Sequence, residues 1–486
     1  MKKNYLNETL RRALLICGMT MSTLSMMAGG LVTNTNMSAA YLRNPAREGA
    51  IDIDGVYFNP AGTAFLTNGV HIGVSIETAF QQRISTVSFA PLAMNRDYMG
   101  QTSRKYVGKA TAPVIPAIHF TYNWDRWNLQ AGFNIIGGGG KCKFNDGLGM
   151  FEAALAGNAL QLKQATGQNV AYTLSQSITG ESYQYGIYLG TSFEVWKEHL
   201  AISVGLQGNY TNNRYNGGLR DMQLWMGDDY SIPAYNYLIG AAAKIEAAGD
   251  VTTAAQLNAA AAKVQNMPDV ELDCRQTGFG VTPVLGIDLR VNEIFNVSFR
   301  YQFQTVMKLK NKSSNSASAD AMTQLANFQD GKKLRSDVPG YFSVGMQVAP
   351  IEKLRINASY RYFDEKHAKR DMVNDAANEK NKGTHEPCVG IEYDIFEYLT
   401  FSAGYQAGIY KQTNDERSEL DFQVNSHSIL VGFRINAGSH VNIDLGYMHS
   451  FYDKKDKTQD MGNGLEYKTN FWRKNDVFGV GVGLAF

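Results

Sequence analysis

From about residue 69 onward the chain alternates apolar and polar residues in one segment after another. Leu354, Ile356, Ala358, Tyr360 and Tyr362 are interleaved with Arg355, Asn357, Ser359 and Arg361. Phe295, Val297, Phe299, Tyr301 and Phe303 alternate with Asn296, Ser298, Arg300, Gln302 and Gln304. Phe401, Ala403, Tyr405, Ala407 and Ile409 alternate with Ser402, Gly404, Gln406 and Gly408, and Phe478 to Phe486 alternates with glycine or alanine. A period of two places one class of residue on each face of a β-strand. The pattern predicts fourteen strands, near 69–83, 110–122, 128–143, 182–193, 199–215, 277–290, 295–309, 339–349, 354–364, 385–394, 399–410, 423–435, 441–452 and 474–486.

The connections alternate between short and long. Short ones fall near Asn123–Trp127, Glu194–Glu198, Val291–Ile294, Pro350–Lys353, Ile395–Tyr398 and Asn436–His440. A soluble sandwich has no reason to put every long loop at one end. An even-numbered antiparallel barrel spanning a bilayer has short turns on one side and long loops on the other. Trp124, Trp127 and Trp196 lie at short turns, where an interfacial aromatic belt belongs. The expected fold is all-β: a 14-stranded antiparallel transmembrane β-barrel over residues 69–486.

Composition fits this picture without deciding it. The chain has 26 Tyr, 24 Phe and 47 Gly against 11 Pro, and its formal charge of +1 supports no nucleic-acid partner. Residues 1–28 read as a signal peptide: Lys2, Lys3, Arg11 and Arg12 precede an apolar run that ends at the small residues Ala28, Gly29 and Gly30. That run of roughly 15 residues is short of the ~20 needed for a helical span. A lipoprotein reading of Cys17 is disfavoured by the bulky Ile16 before it. After cleavage Cys142, Cys274 and Cys388 remain, with neither metal-binding spacing nor a disulfide framework. One bridge with a free thiol and three free thiols are both open.

Residues 29–68 do not alternate. They contain Ser38-Ala39-Ala40-Tyr41, Glu48-Gly49-Ala50-Ile51 and Tyr57-Phe58-Asn59-Pro60-Ala61-Gly62. This segment resembles the N-terminal hatch of the FadL-type (FadL/TodX) outer-membrane long-chain fatty acid and hydrophobic-compound transporters, with Asn59, Pro60 and Ala61 matching the family's Asn-Pro-Ala motif. Physics gives a reason for such a plug. Eight-stranded barrels fill their interior with side chains and 16–18-stranded ones leave a water channel, so fourteen strands leave a lumen to be closed. The resemblance implies passive uptake of a long-chain fatty acid or other hydrophobic small molecule. The ligand is captured by the outer loops, the hatch shifts, and the ligand leaves sideways through a kinked third strand into outer-membrane lipid. It also implies a bacterial outer-membrane location, a monomer, no cofactor and no enzymatic activity.

Four sets of residues are candidates for that route. Gly137, Gly138, Gly139 and Gly140 in strand three mark a bulge or kink. The longest loop, 216–276, predicts a helical hairpin whose apolar stripe (Leu238, Ile245, Leu257, Val264) is a candidate outer ligand surface, or else packs on other loops. Further helices are predicted over 148–165 and 319–328. Arg300, Arg355, Arg361 and Arg434 face into the lumen, as do Glu77, Asp288, Glu392 and Asp444; they either pair along the wall or hold the plug. His71 and His119 also point inward, with no catalytic or metal constellation around them. An aqueous porin, and a surface receptor or adhesin binding a haem-type ligand, are the alternative functions.

Overall fold

The structure is a computed structural model that describes residues 35–486 other than 266, 322, 372–379 and 463. The expected signal peptide, and residues 29–34 of the expected hatch, lie outside the described residues. The barrel has fourteen antiparallel staves. They are β1 Gly69–Ser88, β2 Ser103–Trp124, β3 Trp127–Phe144, β4 Val170–Trp196, β5 Leu200–Met226, β6 Val270–Arg290, β7 Phe295–Gln302, β8 Gly340–Ile351, β9 Leu354–Asp364, β10 Thr384–Phe396, β11 Leu399–Tyr410, β12 Ser426–Asn436, β13 Val441–Tyr452 and β14 Glu466–Ala485. β1 closes the barrel on β14, in register from His71–Ala485 to Ser88–Lys468.

The two faces separate as the alternation predicts. On β9 Arg361 is buried while Ile356 is 44% exposed, and on β14 Phe478, Val480 and Val482 point outward. Outward residues such as Ile187, Leu189, Val204, Leu206 and Phe279 form an apolar band, which makes sense only against lipid. At the short-turn end Trp124 stacks on Tyr122 at 5.3 Å, and Trp127 packs at a tilt against Phe193 at 4.6 Å. Among the described residues no helix is long and apolar enough to cross a membrane.

Several staves run past the predicted limits on the long-loop side. β2 begins at Ser103, β4 at Val170 and β14 at Glu466, while β5 continues to Met226 and β6 starts at Val270. The loop expected over 216–276 therefore narrows to 227–269. Beyond the membrane the outer face no longer meets hydrocarbon, so alternation fades while the hydrogen-bond ladder continues. β7 is shorter than the pattern indicated. It stops at Gln302, and the chain detours through Lys308–Ser313, which pairs again with β6.

The predicted loop helices are present: α3 Gly149–Thr166, α4 Ala234–Ala247, α5 Val251–Gln265, and α6 Ala317–Ala321 followed by the 3-10 turn Thr323–Phe328. The N-terminal segment contributes two short helices inside the barrel, α1 Ala39–Arg43 and α2 Gly55–Phe58. Ser38 caps α1 by accepting from the Tyr41 amide at 3.0 Å, and its hydroxyl donates to Asp54 at 2.9 Å.

Candidate functional site

Residues 35–66 fill the short-turn half of the lumen. Their polar side chains meet inward residues around most of the barrel. Asn36 donates to Glu77 on β1 at 2.6 Å. Arg43 meets Glu392 on β10 at 2.9 Å and Asp444 on β13 at 2.7 Å. Glu48 takes the guanidinium of Arg361 on β9, one bond being 2.9 Å. Arg47 binds Asp52 and Asp54 within its own segment at 2.8 and 2.9 Å, and Glu392 at 3.3 Å.

The lumenal charges thus divide among the two roles open in the sequence. Arg355 pairs along the wall with Glu392 and Asp394 at 3.1 and 2.6 Å. Arg434 bridges wall and segment, with Asp444 and Asp52 both at 2.7 Å. Arg361 binds the segment, and its ring neighbours are Tyr41 and Phe58. Among the described residues Arg300 is in no ion pair; it lies over Tyr57 and Tyr341 at 4.9 and 4.6 Å. Asp288 accepts from Asn59 and, at 3.0 Å, from Asn296.

The wall makes room for this segment with glycines. Leu42 to Pro45 cross the inward faces of Gly390, Gly404, Gly432, Gly446 and Gly479. A Cβ on Gly432 would stand 2.7 Å from the Cβ of Arg43, closer than real Cβ atoms approach. These positions read in the sequence only as weak strand residues. Their inward phase was the available signal for a segment lying against the wall.

Asn59, Pro60 and Ala61 sit at the short-turn end. Asn59 accepts from the Gly62 amide at 3.0 Å, the Pro60 carbonyl accepts from Gln130 at 2.7 Å, and Ala61 is buried against Ala64 and Ala201. His71 hydrogen-bonds the Thr67 carbonyl at 2.8 Å and His119 meets Asn134 at 3.0 Å, so each is satisfied locally. Among the described residues no group of side chains could hold a metal ion, and Cys142, Cys274 and Cys388 are free and buried.

Gly137–Gly140 lie within β3. On one side, β2 and β3 pair from Gly108–Phe144 to Thr111–Lys141 and again from Ile118–Phe133 to Trp124–Trp127. Between these stretches, 112–117 and 134–140 share no pairing. On the other side the register with β4 slips twice, around Gly137. Gly138 and Gly140 have φ of +96° and +67°, values that L side chains rarely adopt. Pro113 and Pro116 face this stretch from β2, and neither has an N–H to offer a ladder. These prolines were the second signal the sequence held and the alternation concealed. At ~3.3 Å per residue and ~40° tilt, Gly137 lies roughly 25 Å above the Trp127 belt, near the outer edge of the apolar band.

A cavity of about 130 Å³ abuts the unpaired stretch. It is lined by Gly138–Gly140, Ile115 and Tyr183 at the wall and by Tyr41, Glu386, Gln406 and Arg473 in the lumen. A feature the sequence did not disclose borders an adjoining crevice, which Leu420 lines together with Arg83, Gly139 and Gly140. The loop between β11 and β12 folds inward, burying Glu416, Glu419, Leu420, Asp421 and Phe422. Glu419 accepts from the Gly149 amide at 2.8 Å, from Ser85 at 3.2 Å and from Tyr467, while burial holds its pKa above the ordinary carboxylate value. Leu420 packs with Phe144 and Tyr215.

For the helical hairpin, packing on other loops is the reading that the burial favours. Leu238 and Leu257 are buried, and with Ile245 and Val264 they pack into a cluster that includes α3 and the 89–94 turn. The stripe is spent on loop packing and offers no open surface there. A separate apolar crevice on the long-loop side is lined by Phe151, Ile178, Leu219, Val270, Leu272 and Leu325.

No family model matches the chain, and no curated protein sequence matches it. Solved structures do. A Pseudomonas aeruginosa FadL homologue superposes with a TM-score of 0.61 at 14% identity, over 94% of this chain and 100% of the other. The Pseudomonas putida toluene transporter TodX gives 0.54 at 10% identity, over 90% and 94%. The Ralstonia pickettii toluene transporter TbuX gives 0.53 at 11%, over 94% and 99%. The chain therefore has the fold of the FadL-type hydrophobic-compound channels.

Proposed function

We propose that the chain is an outer-membrane channel for passive uptake of hydrophobic molecules, long-chain fatty acids first among them. The observation that carries this reading is the unpaired stretch between β2 and β3, set beside a cavity in the lumen. Ligand is captured at the apolar crevice among the outer loops and passes the inward-folded loop. It occupies the cavity and leaves through the wall gap when the N-terminal segment shifts. Non-helical backbone is tolerated at membrane depth when buried in protein or lining a cavity, as at Gly137–Gly140. The step needs no cofactor and breaks no covalent bond, since transfer of an apolar tail into lipid is downhill.

Radiolabelled oleate and toluene, supplied to cells that lack other uptake channels, test the reading. Expression of this protein should accelerate entry of at least one of them. The purified protein in planar bilayers should conduct ions poorly. A steady, porin-like conductance with no gain in uptake would overturn the proposal.

A further inference from the structure

On the long-loop side, the outward face of β14, β1, β2 and β3 changes from apolar to basic. Phe478 on β14, Phe80 on β1 and Val114 on β2 point outward in the apolar band. Beyond them the exposed outward positions include Lys474 on β14, Lys105 and Lys109 on β2, and Lys141 and Lys143 on β3. Strand register gathers these side chains. Lys474 stands opposite Gln82, Gln82 opposite Lys109, and Lys109 opposite Lys143, a row across four neighbouring staves. Lys454, just after β13, joins the row at Trp472. Its ammonium group and those of Lys105 and Lys474 lie 5.8, 5.4 and 5.5 Å from that ring.

Like charges directly opposite on neighbouring strands are destabilising. An indole face attracts a cation, but three cations drawn to one ring still repel one another. Protein carboxylates do not answer this charge. Among the described residues none of the six lysines is in an ion pair. Asp476 on β14 accepts from Tyr447 at 2.8 Å and meets His449 at 2.7 Å, and Asp456 accepts from Asn470 at 2.7 Å. Glu181 on β4 stands at the edge, in register with Lys141. Lys474 lies four residues beyond Phe478, roughly 10 Å higher along the barrel. Trp472 marks that level as interfacial. A partner that fits must bring clustered negative charge at headgroup level and an apolar body beneath it. A lipid with more than one phosphate does both, because phosphate takes ammonium groups as point charges while acyl chains cover the apolar face below.

We propose that Lys105, Lys109, Lys141, Lys143, Lys454 and Lys474, set around Trp472, dock the phosphate groups of a multiply phosphorylated outer-leaflet lipid. Its acyl chains run down the outward face of β14, β1 and β2. The inference rests on the barrel's place in the outer membrane and not on uptake, so it stands or falls separately from the channel reading. The test presents diphosphoryl lipid A, and the same lipid stripped of its phosphates, in detergent micelles to the purified full barrel. Native mass spectrometry counts the bound molecules. Wild type should prefer the phosphorylated form by about 10-fold or more, the size of a charge-assisted hydrogen bond. That preference should weaken at high salt, because exposed charges are screened. The triple variant Lys109→Gln, Lys143→Gln, Lys474→Gln should pull the ratio toward one. Lys308→Gln, Lys310→Gln, Lys312→Gln, which removes the same charge from exposed positions elsewhere, should leave it in place. Native heat-modifiable gel mobility identifies the variants that fold. Equal binding of the two lipids by wild type would overturn the site, an outcome that needs no variant. An equal drop in both triple variants would reduce the effect to net charge and overturn the assignment. Displacement of the lipid by an equal concentration of inorganic phosphate would show a free-anion site in place of a lipid one.

Discussion

The wall from β9 to β13 and the wall from β2 to β4 treat the N-terminal segment differently. On the first side contact is ionic and close. Glu392 gathers Arg43, Arg47 and Arg355, Asp444 takes Arg43 and Arg434, and inward glycines let the backbone of 42–45 lie against the strands. On the second side contact is through neutral amides such as Asn123, Asn128 and Gln130, and higher up the strand ladder itself is interrupted. One side holds the segment through buried charge pairs, the other through neutral amides below an interrupted ladder. A shift of the segment should therefore pivot on the ionic side, because breaking buried pairs costs far more than exchanging neutral hydrogen bonds.

Removing the anchor should give the largest effect. Glu392→Ala leaves up to three guanidinium groups short of a partner, a loss of about 3–5 kcal/mol if none relaxes. The barrel should still show native heat-modifiable mobility, while ion conductance in planar bilayers rises as the segment loosens. Unchanged conductance would mean that the anchor lies elsewhere.

The membrane register of the anchored wall comes next. Val431 points outward on β12 and Ser428 points inward. Val431→Arg should cost ~2–4 kcal/mol near the midplane and impair assembly, while Ser428→Arg enters a polar lumen and should assemble better. Equal assembly yields would contradict the assignment of faces.

At the interrupted ladder, Gly138→Val adds a Cβ that would stand 2.7 Å from the Ser182 carbonyl carbon, at a φ that valine avoids. The bulge must then rebuild toward regular pairing. Uptake should fall several-fold in a variant of native gel mobility; preserved uptake in a folded variant would move the exit elsewhere. Gly139 is left alone in this experiment because a Cβ there would stand 2.6 Å from Arg83 Nη2.

The smallest effect is expected at the motif. Asn59→Ala with Pro60→Ala removes one donor to Asp288 and the cap on Gly62, roughly 1–2 kcal/mol of local order. Gel mobility should stay native and uptake should change modestly. Failure of this double variant to assemble would make the motif part of the barrel's folding rather than of its gate.

The alternation of Arg355 to Tyr362 and its counterparts determined strand number, face and the side of the long loops. Lipid outside and polar contacts inside demand a strict period of two, and that demand is local. Gly137–Gly140 marked a bend for the same local reason. Partnership was not local. Nothing in the spacing of Arg83 and Arg473, nearly the whole chain apart, says that barrel closure sets them face to face. Nothing in residues 411–425 says that this loop turns inward rather than out. The spacing of Leu238 and Leu257 left open whether their stripe faces outward or packs on other loops, and in the folded chain both are buried. Which side chains meet across a closed barrel depends on shear, loop packing and the path of the enclosed segment, and those quantities exist only once the cylinder has closed.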